Sequence, residues 1–203
     1  MIKLHPLFVA IMAALMCVSV AQAAETKEEE SSPSNSIELI GYRGGVTAKA
    51  YLEHEVTENL VVFLSAANSK GFDEVTVGPA YYITPELQVG ISAGVARYAA
   101  GNEDEKSSHS VALAFVYYKS DSVEAEVTAE KYGRDPEPWY YQTYVQWSVG
   151  GNWFAGVYGE ADVGWGPRIS WAFHKNASVW AAPIIEQLGD DKNKIVGGVA
   201  IAF

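Results

Sequence analysis

The sequence predicts an all-β fold, a transmembrane antiparallel β-barrel of twelve strands, with ten or eight as the alternative counts. Three observations predict it. From Ser36 onward apolar and polar residues alternate with period two, in segments of about ten residues. Clusters of Gly, Pro, Asn, Asp and Ser punctuate those segments. Aromatic residues gather near the shorter connections, at Tyr81, Tyr117, Trp147, Trp153, Phe173 and Phe203, where amphipathic rings meet a membrane interface.

The strands are justified in order. Residues 36–43 and 46–56 are split at Gly44-Gly45, because joining them gives an odd count and puts the chain ends on opposite sides of the sheet. Asn68-Ser69-Lys70-Gly71 separates 60–68 from 72–83, and Thr84-Pro85-Glu86 then opens 87–99. There Leu87, Val89, Ile91, Ala93 and Val95 alternate with Gln88, Gly90, Ser92 and Gly94. In 109–119, Val111, Leu113, Phe115 and Tyr117 form the apolar set and are expected to face lipid. The sharpest alternation is in 122–132, with Val123, Ala125, Val127 and Ala129 against Glu124, Glu126, Thr128 and Glu130.

In 139–149, Tyr141, Val145, Trp147 and Val149 oppose Tyr140, Gln142, Tyr144 and Gln146. In 152–161, Trp153, Ala155 and Val157 oppose Gly156, Tyr158 and Glu160. Lys175-Asn176 divides 165–174 from 177–187, and 194–203 closes the sheet. Pro79, Pro167 and Pro183 each remove a ladder donor, so they mark bulges or shorten their strands. The connections 57–59, 84–86, 120–122, 150–152 and 175–176 are short, against 101–108, 133–138 and 189–193. That is the asymmetry of short periplasmic turns and longer external loops. A secreted β-sandwich also alternates, but it has no reason to hold aromatic rings at one level. Trp139 and Trp165 suggest a second girdle at the other rim.

The amino-terminal region reads differently. Residues 1–23 combine a positive start at Lys3, an uncharged apolar run from Leu7 to Val20 and a small-x-small site at Ala21-Gln22-Ala23, the pattern of a secretory signal peptide. The apolar run is too short for a helical span. Cys17 lies inside it, so neither disulfides nor thiol chemistry is expected in the remainder. Residues 24–35, with "ETKEEESSPSN", read as a disordered acidic leader. Of 14 basic residues only Lys3 falls in the signal, against none of the 25 acidic ones. The barrel region, 36–203, therefore belongs to a strongly acidic chain, which excludes nucleic acid as a partner.

Signal segment, period-two strands, aromatic girdle and the terminal Val199-Ala200-Ile201-Ala202-Phe203 together resemble Gram-negative outer-membrane β-barrel proteins of the small porin-like kind, over about residues 36 to 203. The resemblance implies a bacterial outer-membrane location and contact with outer-membrane lipids and lipopolysaccharide. It also implies that Val199, Ile201 and Phe203 are the signal read by the outer-membrane assembly machinery. Known twelve-stranded barrels include small sugar-acid porins, autotransporter domains, a nucleoside channel and a phospholipase, and no motif here selects among them. Sugar-acid channels need a basic lumen, whereas acids dominate here.

With the apolar set outward, the candidate lumen-lining residues are Glu53, Glu74, Glu124, Glu126, Glu130 and Glu160, with Lys49 and Arg168 as the few bases. Glu38, Glu55, Asp162 and Glu186 also fall inward, and Arg43 is a third inward base. The functional reading is a small passive diffusion channel whose acidic wall favours cations or neutral solutes. The bland reading is a structural or lipopolysaccharide-interacting barrel without transport, with Glu124 and Glu126 paired to Lys49 or Arg168. Arg97 and Lys131, outward near the longer loops, are candidate lipopolysaccharide contacts through phosphate, or simply snorkel. A lipid-modifying enzyme is the minor alternative: Ser107, Ser108, His109, Ser110 and Asp104 supply the residue types of a hydrolase, but equally those of a solvated loop. No enzyme activity, metal site or cofactor is expected.

Overall fold

The computed structural model describes residues 35–42, 45–99, 106–133, 139–161, 163–185 and 195–203. The signal peptide, all of the leader before Asn35, Arg43, Asp104, Asp162, Glu186 and most of the longest loops lie outside them. Among the described residues there are twelve strands: β1 (Ser36–Tyr42), β2 (Gly45–Thr57), β3 (Leu60–Ser69), β4 (Phe72–Thr84), β5 (Leu87–Ala99), β6 (Lys106–Lys119), β7 (Val123–Tyr132), β8 (Tyr140–Gly150), β9 (Trp153–Glu160), β10 (Gly164–His174), β11 (Ala177–Pro183) and β12 (Ile195–Ala202). Each pairs antiparallel with its neighbours in sequence, and β1 pairs with β12 to close the barrel. Ile37 stands opposite Ile201 and Leu39 opposite Val199 across that seam. Closure leaves no strand edge unpaired, which a sheet surrounded by hydrocarbon requires.

The split at Gly44-Gly45 stands: Gly45 has φ 153° and starts β2 opposite Tyr42. At the opposite rim Gly151, at φ 57°, makes the tight turn between β8 and β9. Register shifts sit beside four of the short turns, at Glu55/Thr57, Tyr82/Thr84, Ser148/Gly150 and Ala172/His174. Such bulges add the twist that a tight turn between strongly coiled strands needs. The short-turn rim holds the connections at 58–59, 85–86, 120–122, 151–152 and 175–176 together with both barrel ends. The other rim mixes short connections, at 43–44, 70–71 and 161–163, with the three longer ones.

Each of the three strand prolines, Pro79, Pro167 and Pro183, has found a tolerant place. The β4·β5 ladder passes from Val77↔Ala93 to Ala80↔Gly90, so Gly78 and Pro79 fall in the gap. The β10·β11 ladder begins at Ile169, beyond Pro167. Pro183 ends β11, which makes that strand shorter than the expected 177–187.

The outer surface is apolar along the strands. Ile91 is 63% exposed, and Val77, Val95, Val127, Val157 and Ile169 are likewise turned out. A continuous surface of this kind is satisfied by lipid rather than water. Tyr81, Trp147, Trp153, Phe173 and Phe203 are exposed near the short-turn rim, as expected. Trp153 stacks on Trp171, ring centroids 5.8 Å apart, and Trp171 continues to Phe173. At the other rim Trp139 is exposed, and Trp165 lies over Gly159 and beside Tyr141.

One strand face is the reverse of the expectation. Val111, Leu113 and Phe115 of β6 point inward and are buried, and Tyr117 follows them into the lumen rather than joining the girdle. Ala112, Ala114, Val116 and Tyr118 face out instead. The cause lies on the neighbouring strand. Register places Phe115 opposite Gly90, Leu113 opposite Ser92 and Val111 opposite Gly94. Small inward residues on β5 leave a space that large β6 side chains fill, and a Cβ on Gly90 would stand 2.3 Å from the Phe115 ring. Alternation reports that two faces differ; it does not say which one faces the lumen.

Close backbone approach fixes another site. A Cβ on Gly156 would lie 1.9 Å from the Val145 carbonyl oxygen of β8. Backbone cannot move aside as a flexible side chain can, so Gly156→Ala is expected to cost about 1–3 kcal/mol or more, read as a shift in the denaturant midpoint of the barrel refolded in vesicles.

Candidate functional lumen

A cavity of about 530 Å³ runs into the barrel from the short-turn rim, where Pro85, Glu86, Lys175 and Asn176 frame its mouth. It reaches inward to Glu130, Gln142 and Tyr158. Its size falls within the range of small-molecule sites. Period-two geometry makes its wall: every second residue of β2 through β10 points at the axis, and the cross-strand register lines them up. One row reads Tyr117, Glu126, Tyr144, Tyr158 and Gly166 across β6 to β10.

The inward carboxylates are held chiefly by tyrosine. Glu53 accepts from Tyr51 Oη at 2.6 Å, from Tyr82 Oη at 2.9 Å and from Gln88 Nε2. Glu124 accepts from Tyr117 and Tyr144 Oη, both at 3.0 Å, and from Gln146 Nε2 at 2.7 Å. Glu160 is ringed by Tyr42, Tyr140 and Tyr158. Tyr132 Oη bonds to both Glu74, at 3.0 Å, and Glu130. Glu38 accepts from Trp180 Nε1 at 2.6 Å. Glu126 is the least supported, with Thr128 Oγ1 as its donor at 2.9 Å. The donors to these acids are uncharged hydroxyl, amide and indole groups.

The two bases do not pair with Glu124 or Glu126 as the bland reading expected. Lys49 Nζ donates to Gln142 Oε1 at 2.6 Å. The Arg168 guanidinium lies between two rings, 4.2 Å from the centroid of Tyr144 and 4.2 Å from that of Trp180. Part of the remaining wall is apolar. Phe63 and Phe115 meet edge to face at 5.1 Å, with Tyr51 stacked on Phe63 and Leu113 beside them.

Toward the longer loops the lumen fills. Phe72, Tyr98 and Tyr132 pack together with ring centroids 5.0 to 6.4 Å apart. Across the barrel Ile40, Val196, Tyr158 and Trp180 form a second buried cluster with Val163, Ala182 and Ile184. Any path through the described residues is therefore narrow at this level.

The structure places Glu53, Glu124, Glu126, Glu130, Lys49 and Arg168 on the cavity wall. Glu74 and Glu160 lie deeper, in the packed layer, and are buried. Arg97 faces outward opposite Asp73 and Ser108, and Lys131 faces outward opposite Ala112. Val199, Ile201 and Phe203 are exposed on the outer side of the last strand. His109 Nε2 lies 2.9 Å from Ser107 Oγ. Among the described residues no three His, Cys, Asp or Glu side chains are grouped as metal ligands. Parity along the strands puts Tyr51, Tyr140, Tyr144 and Tyr158 on the inward face, but it missed that they donate to the acids, and it missed the Phe63–Phe115 wall. A signal for the first existed: Tyr51-x-Glu53, Glu130-x-Tyr132 and Tyr158-x-Glu160 place ring and acid on one strand face, and each pair is hydrogen-bonded.

No family model matches the chain, and no curated protein matches it by sequence. Among solved structures it is similar to a chain described as "KdgM porin", with a TM-score of 0.50 and 9% identity, over 83% of this chain and 98% of that one. It is also similar to a chain from a structure described as "Unveiling the Mechanism Behind the in-meso Crystallization of Membrane Proteins", with a TM-score of 0.53 and 9% identity, over 83% of each. At that identity the likeness is one of fold: a closed, porin-like barrel of twelve antiparallel strands.

Proposed function

We propose that this porin-like barrel lies in the bacterial outer membrane and acts as a narrow passive diffusion channel whose acidic wall favours cations or neutral solutes. The observation that carries the reading is the state of the lumen charges. Glu53, Glu124 and Glu126 share one cavity and take their hydrogen bonds from neutral donors, while Lys49 and Arg168 are engaged elsewhere. The wall therefore keeps a net negative field, and carboxylate-lined passages select cations for that reason. A fold shared with a chain described as a porin supports transport.

The filled long-loop half supports one competing reading, a structural barrel without transport. Channel recordings separate the two. The combined Glu124→Gln, Glu126→Gln and Glu130→Gln variant should carry less cation preference than the parent, seen as a reversal potential moved toward zero in a potassium chloride gradient. Parent-like selectivity in the folded variant contradicts the acidic-wall mechanism, and the absence of any discrete conductance in the parent favours the structural barrel.

A further inference from the structure

Arg168 is the group that the acidic-wall reading does not use. It is 8% exposed, lines the cavity, and its Nε is buried without an acceptor. The guanidinium carbon lies 4.2 Å from the ring centroids of both Tyr144 and Trp180, and π faces offer its Nε–H no lone-pair acceptor. A buried donor fork of fixed geometry beside a cavity suits a carboxylate, which it can grip with two parallel hydrogen bonds. Leaving such a donor unpaired is costly, so a ligand that satisfies it gains by more than simple contact.

The same wall supplies the opposite charge nearby. Glu126 stands opposite Tyr144 in the β7·β8 register, so the one ring is flanked by the acid and the guanidinium. Glu124, by contrast, already has three donors. Next along the wall, Phe115 lies opposite Thr128, one inward position from Glu126, and packs on Phe63. Around the cavity the order is therefore apolar surface, a carboxylate with a single hydroxyl donor, a tyrosine ring, and a guanidinium whose Nε–H has no acceptor.

We propose that this cavity binds short zwitterions carrying an apolar side chain, of the class of hydrophobic amino acids and small peptides. Arg168 receives the carboxylate, Glu126 the ammonium, and the Phe63–Phe115 wall the side chain. This names a solute class for the channel proposed above and rests on that reading for transport, but the binding site itself needs no conduction.

Calorimetric titration of the refolded full barrel in detergent tests it with three probes: L-phenylalanine, 3-phenylpropionate and 2-phenylethylamine. L-Phenylalanine should bind at least tenfold more tightly than either half-molecule. Arg168→Gln should reduce its affinity to that of the amine, and Glu126→Gln to that of the acid. Arg168→Lys, which keeps the charge without the fork, should recover only part of the loss, with circular dichroism confirming that each variant is folded. Equal binding of 3-phenylpropionate and L-phenylalanine overturns the assignment in favour of a plain anion site. No binding of any probe, or binding indifferent to both substitutions, also overturns it. A cation-selective conductance measured alongside keeps the channel reading intact when binding fails, and its absence with binding retained sinks only transport.

Discussion

Phe115→Ala is expected to lower the unfolding free energy of the barrel by about 3–5 kcal/mol, the usual cost of emptying a buried aromatic site. Denaturant titration in lipid vesicles measures it. The ring fills the space over Gly90, packs edge to face on Phe63 and Tyr51, and has no lipid in contact with which to exchange. Relaxation cannot close the gap, because the surrounding wall is a hydrogen-bonded cylinder whose diameter is set by strand number and tilt. Val116→Ala, one residue along and facing out, should cost far less, since lipid chains refill what it vacates. Reversed costs at the two positions contradict the inward orientation of this β6 face.

A charge on the outer face should be nearly as damaging. Ile91→Arg is expected to destabilise by about 2–4 kcal/mol, the price of a guanidinium near the bilayer midplane. Ile91 lies close to the middle of β5 and is 63% exposed, so in water this change would be almost free. Ser65→Arg, on the cavity wall of β3, carries the same charge into a polar lumen and should cost much less, while reducing cation preference. Equal, small effects at both positions contradict a lipid-facing outer surface.

Much of the architecture was legible in the residues. Turn chemistry at Gly150-Gly151-Asn152 and Lys175-Asn176, and Gly45 at the start of β2, placed the strands to within a few residues; Gly45, Gly150 and Gly151 take the positive φ that favours glycine. The acids of β7 were also legible, since charge alternating with Val and Ala leaves one plausible outward face. β6 was not. Its two faces are both apolar, and the choice between them depends on Gly90, Ser92 and Gly94 in the next strand, information that no window along β6 contains.

The candidate site divides in the same way. Which acids point inward follows from parity along each strand. How they are satisfied depends on residues far apart in sequence, as when Tyr42 reaches Glu160 or Trp180 reaches Glu38. The bland reading's pairing of Glu124 and Glu126 with Lys49 or Arg168 failed for a related reason. Arg168 is captured by two aromatic rings, one of them on β8 and the other on β11, and strand-by-strand reading has no access to a contact across three strands.

The proposed channel is a passage with a negative wall. The most direct measurement is the reversal potential of the purified barrel in a planar bilayer separating unequal potassium chloride concentrations. Small, discrete conductance steps are expected, with the reversal potential displaced toward that of potassium. Displacement toward the chloride potential would contradict it.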